Sequence, residues 1–211
     1  MKMEQPEQFF SVHKKKKKDL LSTLKPIQWQ GLGNTADAFS TRYRIRGLGD
    51  WIFVLVPTPY YETTGGGYIQ QMTKMVVNAG GLPTDWDTEL GLPAEIVPLD
   101  KPYAIWEGGV FRGVVKSEGK PVPFAELEME FLNHALDIVN NSFDKKEILT
   151  APQDSFVTMG LKADSQGTFV AALPKAGWWG ICARGVGPEK ECNGKKLSQD
   201  AVIWVQAKPL P

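Results

Sequence analysis

Apolar and polar residues alternate in several segments of this chain, and this alternation limits the possible folds more than any other pattern in the sequence. Residues 39–46 alternate apolar with polar side chains, and residues 126–131 do the same with glutamates. A period of two places successive side chains on opposite faces of a strand, so both segments predict strands with one buried face. Residues 135–149 could pass for a helix, but their apolar spacing is irregular and Asn140-Asn141-Ser142 interrupts it. We interpret them as a long loop with at most one or two helical turns, and we predict an all-β fold.

Apolar runs bounded by turn residues predict the remaining strands. Two of these runs lie in the first half of the chain and five in the second: 51–56, 68–77, 109–115, 156–161, 168–173, 178–183 and 202–207. The first run stops at Pro57 because proline cannot donate to a sheet. We interpret 156–161 and 168–173 as a hairpin, and the glutamate-rich strand 126–131 as an edge or surface strand.

An extended segment near the middle predicts a domain boundary. Residues 97–102 hold Pro98 and Pro102 and are typical of a linker. We therefore predict two domains, 1–100 and 101–211, each near the usual size of a single core. About six strands follow residue 102 at the spacing of a β-sandwich, so we predict two β-sandwich domains.

Charge and hydropathy exclude several classes of partner. The 24 basic residues balance the 24 acidic ones, so no broad attraction to nucleic acid or anionic membrane is expected. The run Lys14–Lys18 is interpreted as a solvated hairpin turn, the alternative being a nucleic-acid or localisation patch.

No stretch approaches the roughly 20 apolar residues of a membrane helix, so we predict no membrane insertion. Residues 1–6 lack the apolar segment of a signal peptide, which alone predicts the cytoplasm.

Signatures of the common enzyme classes are absent from the sequence. It holds no Gly-x-Ser-x-Gly elbow, no His-Glu-x-x-His pair and no Gly-x-x-x-x-Gly-Lys loop. Residues 65–67 are three glycines, but they lack the following helix and lysine of a phosphate-binding loop. We therefore predict that the protein is not an enzyme.

The two cysteines, Cys182 and Cys192, flank the turn-forming residues 185–188. In an oxidising compartment a disulfide between them would stabilise the fold by about 2–3 kcal/mol. In a reducing compartment they are a buried thiol and a loop thiol. The sequence leaves both alternatives open.

Two turn-and-strand segments in the second half resemble a known sandwich. Residues 119–127 read Gly-Lys-Pro-Val-Pro-Phe-Ala-Glu-Leu, and residues 162–169 read Lys-Ala-Asp-Ser-Gln-Gly-Thr-Phe. They resemble the carboxypeptidase-regulatory-like, transthyretin-type sandwich, in which Gly119 and Pro121 set a tight turn and Gly167 closes a hairpin. The resemblance implies an immunoglobulin- or transthyretin-like fold for residues 101–211.

Four further blocks resemble one family over nearly the whole chain: residues 18–26, 68–74, 91–99 and 174–180. Together they are similar to a domain of unknown function described as the periplasmic component of cobalt or nickel transport. The resemblance implies a periplasmic, non-catalytic protein that binds a nickel or cobalt ion, which is not required for folding. It implies the membrane component of a metal ABC-type importer as partner. Family members begin with a secretion signal and a histidine-bearing strand, so we expect Met1 to lie inside that pattern, with the leading strands missing.

Three residues are the candidate metal ligands. Nickel and cobalt prefer imidazole and carboxylate or thiolate donors. His134 and Asp137 form an Asn-His-x-x-Asp group that offers one nitrogen and one oxygen, and His13 offers a second imidazole beside lysines that would repel a cation. The alternative is that both histidines are ordinary exposed residues.

The acidic residues between 85 and 89 lack the glycine turn of a calcium loop, and we interpret them as a solvated acidic loop.

Aromatic pairs are the candidates for a binding surface. Trp178 and Trp179 are adjacent, so a strand directs them to opposite faces. Tyr60 and Tyr61 follow the proline that ends a strand. These four residues support an alternative function, a structural module or one that binds carbohydrate or protein; packing alone is the other interpretation.

Overall fold

The computed structural model describes residues 3–211, and their regular structure is all β apart from two single-turn 3-10 helices, Leu21–Thr23 and Asp154–Phe156. The prediction of an all-β fold is confirmed. Met1 and Lys2, part of the opening considered as a signal peptide, lie outside the described residues. The described strands are, in chain order, β1 (Gln8–His13), β2 (Lys16–Asp19), β3 (Lys25–Gln30), β4 (Thr35–Ser40), β5 (Gly49–Val56), β6 (Tyr60–Glu62), β7 (Gly67–Ala79), β8 (Ala94–Pro98), β9 (Ile105–Trp106), β10 (Val110–Ser117), β11 (Lys120–Pro121), β12 (Glu126–Phe131), β13 (His134–Asp137), β14 (Ser142–Glu147), β15 (Thr158–Lys162), β16 (Thr168–Ala172), β17 (Gly177–Ala183), β18 (Glu191–Cys192) and β19 (Lys195–Lys208).

One large sheet runs through the described part of the molecule. Its strand order is β15-β12-β17-β19-β7-β5-β1-β2, with β9 and β18 beside β19 and β6 beside β7. Neighbours along this path are antiparallel except β19 and β7, which are parallel. β19 therefore joins strands from the two halves of the sequence.

Two smaller sheets complete the described fold. One has the order β11-β10-β16, with β8 beside β10. The other has the order β13-β14-β3-β4 and joins two hairpins that come from opposite halves of the chain. In that sheet the amide of Gln30 donates to the carbonyl of Asn141 over 2.8 Å.

The core lies between the large sheet and the sheet formed by β8, β10, β11 and β16. Alternate residues of the large sheet, such as Leu127, Ile181 and Ile203, are buried together with Phe111 and Phe169 of the smaller one, and all belong to one hydrophobic cluster. Burying a side chain of this size contributes about 1.5–3 kcal/mol, so the two sheets are held face to face. In these strands the apolar residues of the alternating pattern face the core, as predicted.

The predicted domain boundary at residues 98–102 lies between strands that are paired with each other. β8, which precedes the linker, pairs with β10, which follows it, and β7 pairs with β19. Hydrogen bonds and core contacts therefore cross the boundary between 1–100 and 101–211. The division into two domains stays a prediction about independent folding.

Several strand predictions agree closely with the structure. The runs 51–56 and 68–77 lie in β5 and β7, and β5 ends at Val56, just before Pro57. Lys14, at φ 49°, and Lys15, at φ 62°, form the predicted hairpin turn between β1 and β2, whereas residues 16–18 of the lysine run belong to β2. Positive φ at both positions matches the twist of a two-residue hairpin.

Two predictions about the first half and the middle of the chain are wrong. The strand predicted over 39–46 is displaced: β4 ends at Ser40, and residues 41–46 have no regular structure, because Tyr43 leaves the sheet to pack on other aromatic rings. The loop predicted over 135–149 is the hairpin of β13 and β14. Its turn is stabilised by Asp137, whose carboxylate accepts the amides of Val139 and Asn140.

Two predictions concern strand partners. Of the two alternatives for the glutamate-rich strand β12, the surface strand is confirmed and the edge strand is wrong: β12 lies between β15 and β17, and Lys162 and Arg184 pair with its outward glutamates. The hairpin predicted for 156–173 does not form: β15 pairs with β12 in the large sheet, and β16 pairs with β10. The turn at Asp164 exists, but it leads from one sheet to the other.

Candidate functional site

The side chain of His13, at the end of β1, is fixed from two sides. Its Nδ1 lies 2.8 Å from the backbone carbonyl of Asp50 on the paired strand β5. Its ring stacks on Trp51 with 4.0 Å between centroids and 4° between planes. Because Nδ1 must donate to the carbonyl, the neutral imidazole carries its lone pair on Nε2. Gly47 lies beside this atom, since a Cβ there would stand 3.5 Å from Nε2.

Aromatic contacts hold the irregular segment 41–48 against the large sheet. The ring of Tyr43 lies 5.7 Å from that of Trp51 and 5.6 Å from that of Phe53. The indole Nε1 of Trp51 also donates to the carbonyl of Gly47 over 3.4 Å. These contacts place Arg44, which follows Tyr43 directly, next to the hairpin of β1 and β2.

A cavity of about 650 Å³ opens above His13 and is here called the basic cavity. Four of its lining residues, Lys16, Lys18, Arg44 and Arg46, carry positive charge and are exposed. Within residues 3–211 none of these four basic side chains forms an ion pair, and no carboxylate lines the cavity. The remaining lining residues are Ser11, His13, Tyr43 and Trp51.

A buried carboxylate supports the site from behind. Asp50 is fully buried, and its side chain accepts the backbone amides of Thr84, Asp85 and Trp86 at 2.6, 3.1 and 3.2 Å, and Nδ2 of Asn78 at 2.6 Å. Burial raises the pKa of Asp50, but these hydrogen bonds outweigh it and hold the pKa below its ordinary value. The carboxylate fixes the backbone whose carbonyl holds His13.

The acidic loop that follows is only partly solvated, contrary to the sequence interpretation. Asp85 is buried, and its carboxylate accepts the backbone amide of Lys14 over 2.8 Å in the hairpin turn. Glu89 pairs with Lys116, whereas Asp87 is exposed. The prediction failed for Asp85 because its partner lies 71 residues away.

The other metal candidates lie in a different sheet from His13. His134 is on β13, where its Nδ1 lies 2.9 Å from the carbonyl of Asp144. The carboxylate of Asp137 accepts three hydrogen bonds in the hairpin turn, two of them from Asn140. Within residues 3–211 no group of three or more His, Cys, Asp or Glu residues is placed to hold a metal ion.

The predicted tyrosines line a second cavity of about 460 Å³. Tyr60 and Tyr61 share it with Tyr68 and with prolines that follow β5. The rings of Tyr61 and Tyr68 are 5.3 Å apart, and Lys195 Nζ lies 4.0 Å from the Tyr61 ring. This tyrosine cavity is the part of the predicted aromatic surface that has the shape of a binding site.

The two tryptophans face opposite sides of β17, as the alternation predicts. Trp179 is 1% exposed and belongs to the core, with its Nε1 donating to the carbonyl of Lys175 over 2.9 Å. Trp178 is half-buried on the other face. Packing accounts for Trp179, and a role of Trp178 in binding stays a prediction.

The two cysteines are free thiols in this structure. Cys182 lies on β17, and burial, with the nearby Asp200, raises the pKa of its thiol. Cys192 lies on the short strand β18. A thiol with a raised pKa is a poor nucleophile, so Cys182 is suited to packing rather than to chemistry.

Sequence reasoning found His13 but not the residues that make its site. The alternation of Arg44 and Arg46 with apolar residues predicts the solvent-exposed face of a strand. The lysine run, which includes Lys16 and Lys18, predicts a solvated turn. The available signal was the high local density of positive charge in two segments, with few acidic residues to balance it. That these segments meet at one cavity depends on the pairing of β1 with β5.

The fold and this site define an all-β protein with a basic cavity built around one oriented histidine. The family "Domain of unknown function (DUF4198)" matches residues 1–187, and the chain belongs to this family. Among curated proteins, none matches the sequence. The D0-D1 domain of Intimin is similar over 95% of this chain and 80% of its own, at 12% identity and with a TM-score of 0.26.

The family match confirms that the sequence resembles a domain of unknown function. The more specific resemblances, to cobalt or nickel transport and to a transthyretin-type sandwich, stay predictions. Within residues 3–211 no helix has the length and apolar content needed to cross a bilayer.

Proposed function

We propose that this protein is a non-catalytic binding component of nickel or cobalt uptake, and that Nε2 of His13 contacts the metal ion as cargo. The observation that carries the proposal is the fixed imidazole: the Asp50 carbonyl and the Trp51 ring hold it so that Nε2 lies beside Gly47. Metal-binding histidines usually have their second nitrogen held in this way. Imidazole is also a ligand type that suits nickel.

The choice of metal rests on the sequence blocks that resemble the periplasmic component of cobalt or nickel transport. With that resemblance we also propose a periplasmic location and the membrane component of a metal importer as partner. The ion is not required for folding in this proposal, because one large hydrophobic cluster joins the sheets without it.

His13 is a better candidate than His134 for a physical reason. Both histidines have Nδ1 fixed by a backbone carbonyl, at 2.8 Å and 2.9 Å respectively. His13 lines a cavity of about 650 Å³, whereas His134 lines none of the cavities described above. The carboxylate nearest to His134 in sequence, Asp137, is occupied by its own turn.

This similarity makes His13→Gln and His134→Gln a matched pair of variants. Nickel is supplied as the aqua ion and, separately, with citrate, and affinity is measured by calorimetry. One of these two forms of nickel, the aqua ion or the form with citrate, will bind more tightly than the other. We expect His13→Gln to weaken the binding of that form by about tenfold or more, equivalent to about 1.4 kcal/mol. His134→Gln should leave it unchanged, and only the imidazole signals of His13 should be broadened by nickel in NMR spectra. An equal effect of both variants, or of neither, would contradict the proposal.

A second function, binding of carbohydrate or protein, is favoured by the tyrosine cavity. Tyrosine rings give apolar contact area with a polar end, which suits sugars and extended peptides. The variant Tyr60→Ala separates the two functions. Loss of binding to an oligosaccharide or peptide array in Tyr60→Ala, with no change in His13→Gln, would favour this second function.

A further inference from the structure

The charge around His13 has the wrong sign for a free divalent cation. The four basic side chains line the same cavity as His13, and no carboxylate lines it within residues 3–211. The two buried carboxylates behind the site, Asp50 and Asp85, accept hydrogen bonds from backbone amides. They reduce the positive potential without placing an oxygen in the cavity lining. A bare Ni²⁺ ion entering the cavity would be repelled by the basic side chains.

The site also supplies too few metal ligands. His13 is the one imidazole in the lining, and no group of three or more potential ligands exists within residues 3–211. One imidazole fills a single coordination position of a nickel or cobalt ion. The other positions must be filled by groups that arrive with the metal.

We infer that the basic cavity takes its metal ion as an anionic chelate, already bound to a small polycarboxylate, with His13 completing the coordination. This inference rests on the proposed function, and it changes the form of the cargo from a cation to an anion. The same four charges that repel the free ion attract such a complex. Both the missing ligands and the excess positive charge are then accounted for.

The dimensions and the donor types fit a ligand of this class. A cavity of about 650 Å³ lies within the roughly 300–1,000 Å³ range of small-molecule sites, large enough for one chelate of citrate size. The planar guanidinium groups of Arg44 and Arg46 can each bind a carboxylate through two parallel hydrogen bonds. Lys16 and Lys18 add point charges from the opposite hairpin. The stacked Trp51 keeps His13 in place before the ligand arrives, which lowers the entropy lost on binding.

The test compares three titrants by calorimetry on the folded protein: Ni²⁺ alone, citrate alone and the 1:1 nickel–citrate complex. We expect nickel–citrate to bind at least about tenfold more tightly than either component. Its affinity should fall as salt is added, because exposed charges are screened.

Three variants show how much the arginines and His13 contribute to the affinity for nickel–citrate. Arg44→Gln/Arg46→Gln should weaken nickel–citrate by about tenfold or more, since each arginine loses a charge-assisted contact. His13→Gln should reduce nickel–citrate to the affinity of citrate alone. The matched control Lys145→Gln/Lys146→Gln removes two exposed cations from β14, outside the cavity, and should leave all affinities unchanged.

The outcomes separate this inference from the proposed function. Tight binding of Ni²⁺ alone, lost in His13→Gln but unchanged in Arg44→Gln/Arg46→Gln, would overturn the chelate and leave the proposed function intact. Equal binding of citrate and nickel–citrate, with no effect of His13→Gln, would overturn both and leave only an anion site. Absence of binding by all three titrants would also overturn both.

Discussion

The protein concentrates charge in two places, and the two are built in opposite ways. In the interior, Lys74 on β7 and Glu95 on β8 form an ion pair whose side chains are 2% and 1% exposed. Glu95 also accepts the amides of Leu90 and Leu92, so the carboxylate has several partners. In the basic cavity, four cations face solvent within the described residues without one carboxylate.

Among the described residues of this fold, structural charges are paired, whereas the charges of the cavity are not. A buried charge must be paired and hydrogen-bonded, because leaving it unpaired costs several kcal/mol, so its partners are part of the folded structure. An exposed cation costs little to leave unpaired, but four in one cavity repel one another. Such an arrangement is expected to persist where a ligand of opposite charge compensates it.

Removing the carboxylate of the interior pair should have the largest effect on stability. Glu95→Gln leaves the buried Lys74 without its counter-charge, and we expect the free energy of unfolding to fall by about 3–5 kcal/mol. Burial already lowers the pKa of Lys74, in spite of the opposing effect of Glu95. Urea unfolding followed by tryptophan fluorescence measures the change.

The double variant Lys74→Met/Glu95→Gln is the control for this prediction. It removes the buried cation while keeping an acceptor for the two loop amides, so it should recover at least half of the lost stability. If the double variant is as unstable as Glu95→Gln, the unpaired charge of Lys74 is not the cause of the lost stability.

Asp50 is a buried carboxylate directly behind the basic cavity, and we expect an effect of intermediate size when it is replaced. Asp50→Asn places an NH₂ group against Asn78 or the loop amides and should cost about 2 kcal/mol. Because the folded-state pKa of Asp50 is lowered, its stabilising contribution is present above the ordinary aspartate pKa of about 3.9 and is lost as pH falls through the folded value.

The difference in stability between the wild-type protein and Asp50→Asn should therefore narrow below about pH 4. Thermal unfolding at a series of pH values measures it. A difference that stays constant down to pH 2 would show that the charge of Asp50 is not what holds the loop.

Removing charges from the basic cavity should change stability least. Arg44→Gln/Arg46→Gln, which should weaken ligand binding, should change the free energy of unfolding by no more than about 0.5 kcal/mol. A slight gain in stability is expected, because like charges are removed. A loss of 2 kcal/mol or more in urea unfolding would place these arginines among the structural charges instead.

Much of the fold could be predicted from the sequence because alternation is a local property. Leu127 and Met129 of β12 are buried as their spacing requires. The partner of each strand could not be predicted, because it depends on contacts distant in the chain. The turn at Asp164 is typical of a hairpin, yet the strands that it joins pair with β12 and β10.

The candidate site was predicted only in part for the same reason. The sequence identified His13 as a possible ligand and the lysines as a hairpin turn. It could not show that Tyr43 would leave its strand to pack on Trp51 and Phe53, because that choice depends on rings contributed by β5. Because Tyr43 packs there, Arg44 and Arg46 line the cavity.

The position of β19 has a consequence for how the molecule is made. This strand lies in the middle of the large sheet, parallel to β7 and antiparallel to β17, and it is synthesised after both of them. Until residues 195–208 leave the ribosome, two long strand edges stay open, and open edges invite pairing with other chains. A nascent chain of this protein therefore has a period in which shielding by a chaperone matters more than it does for the finished molecule.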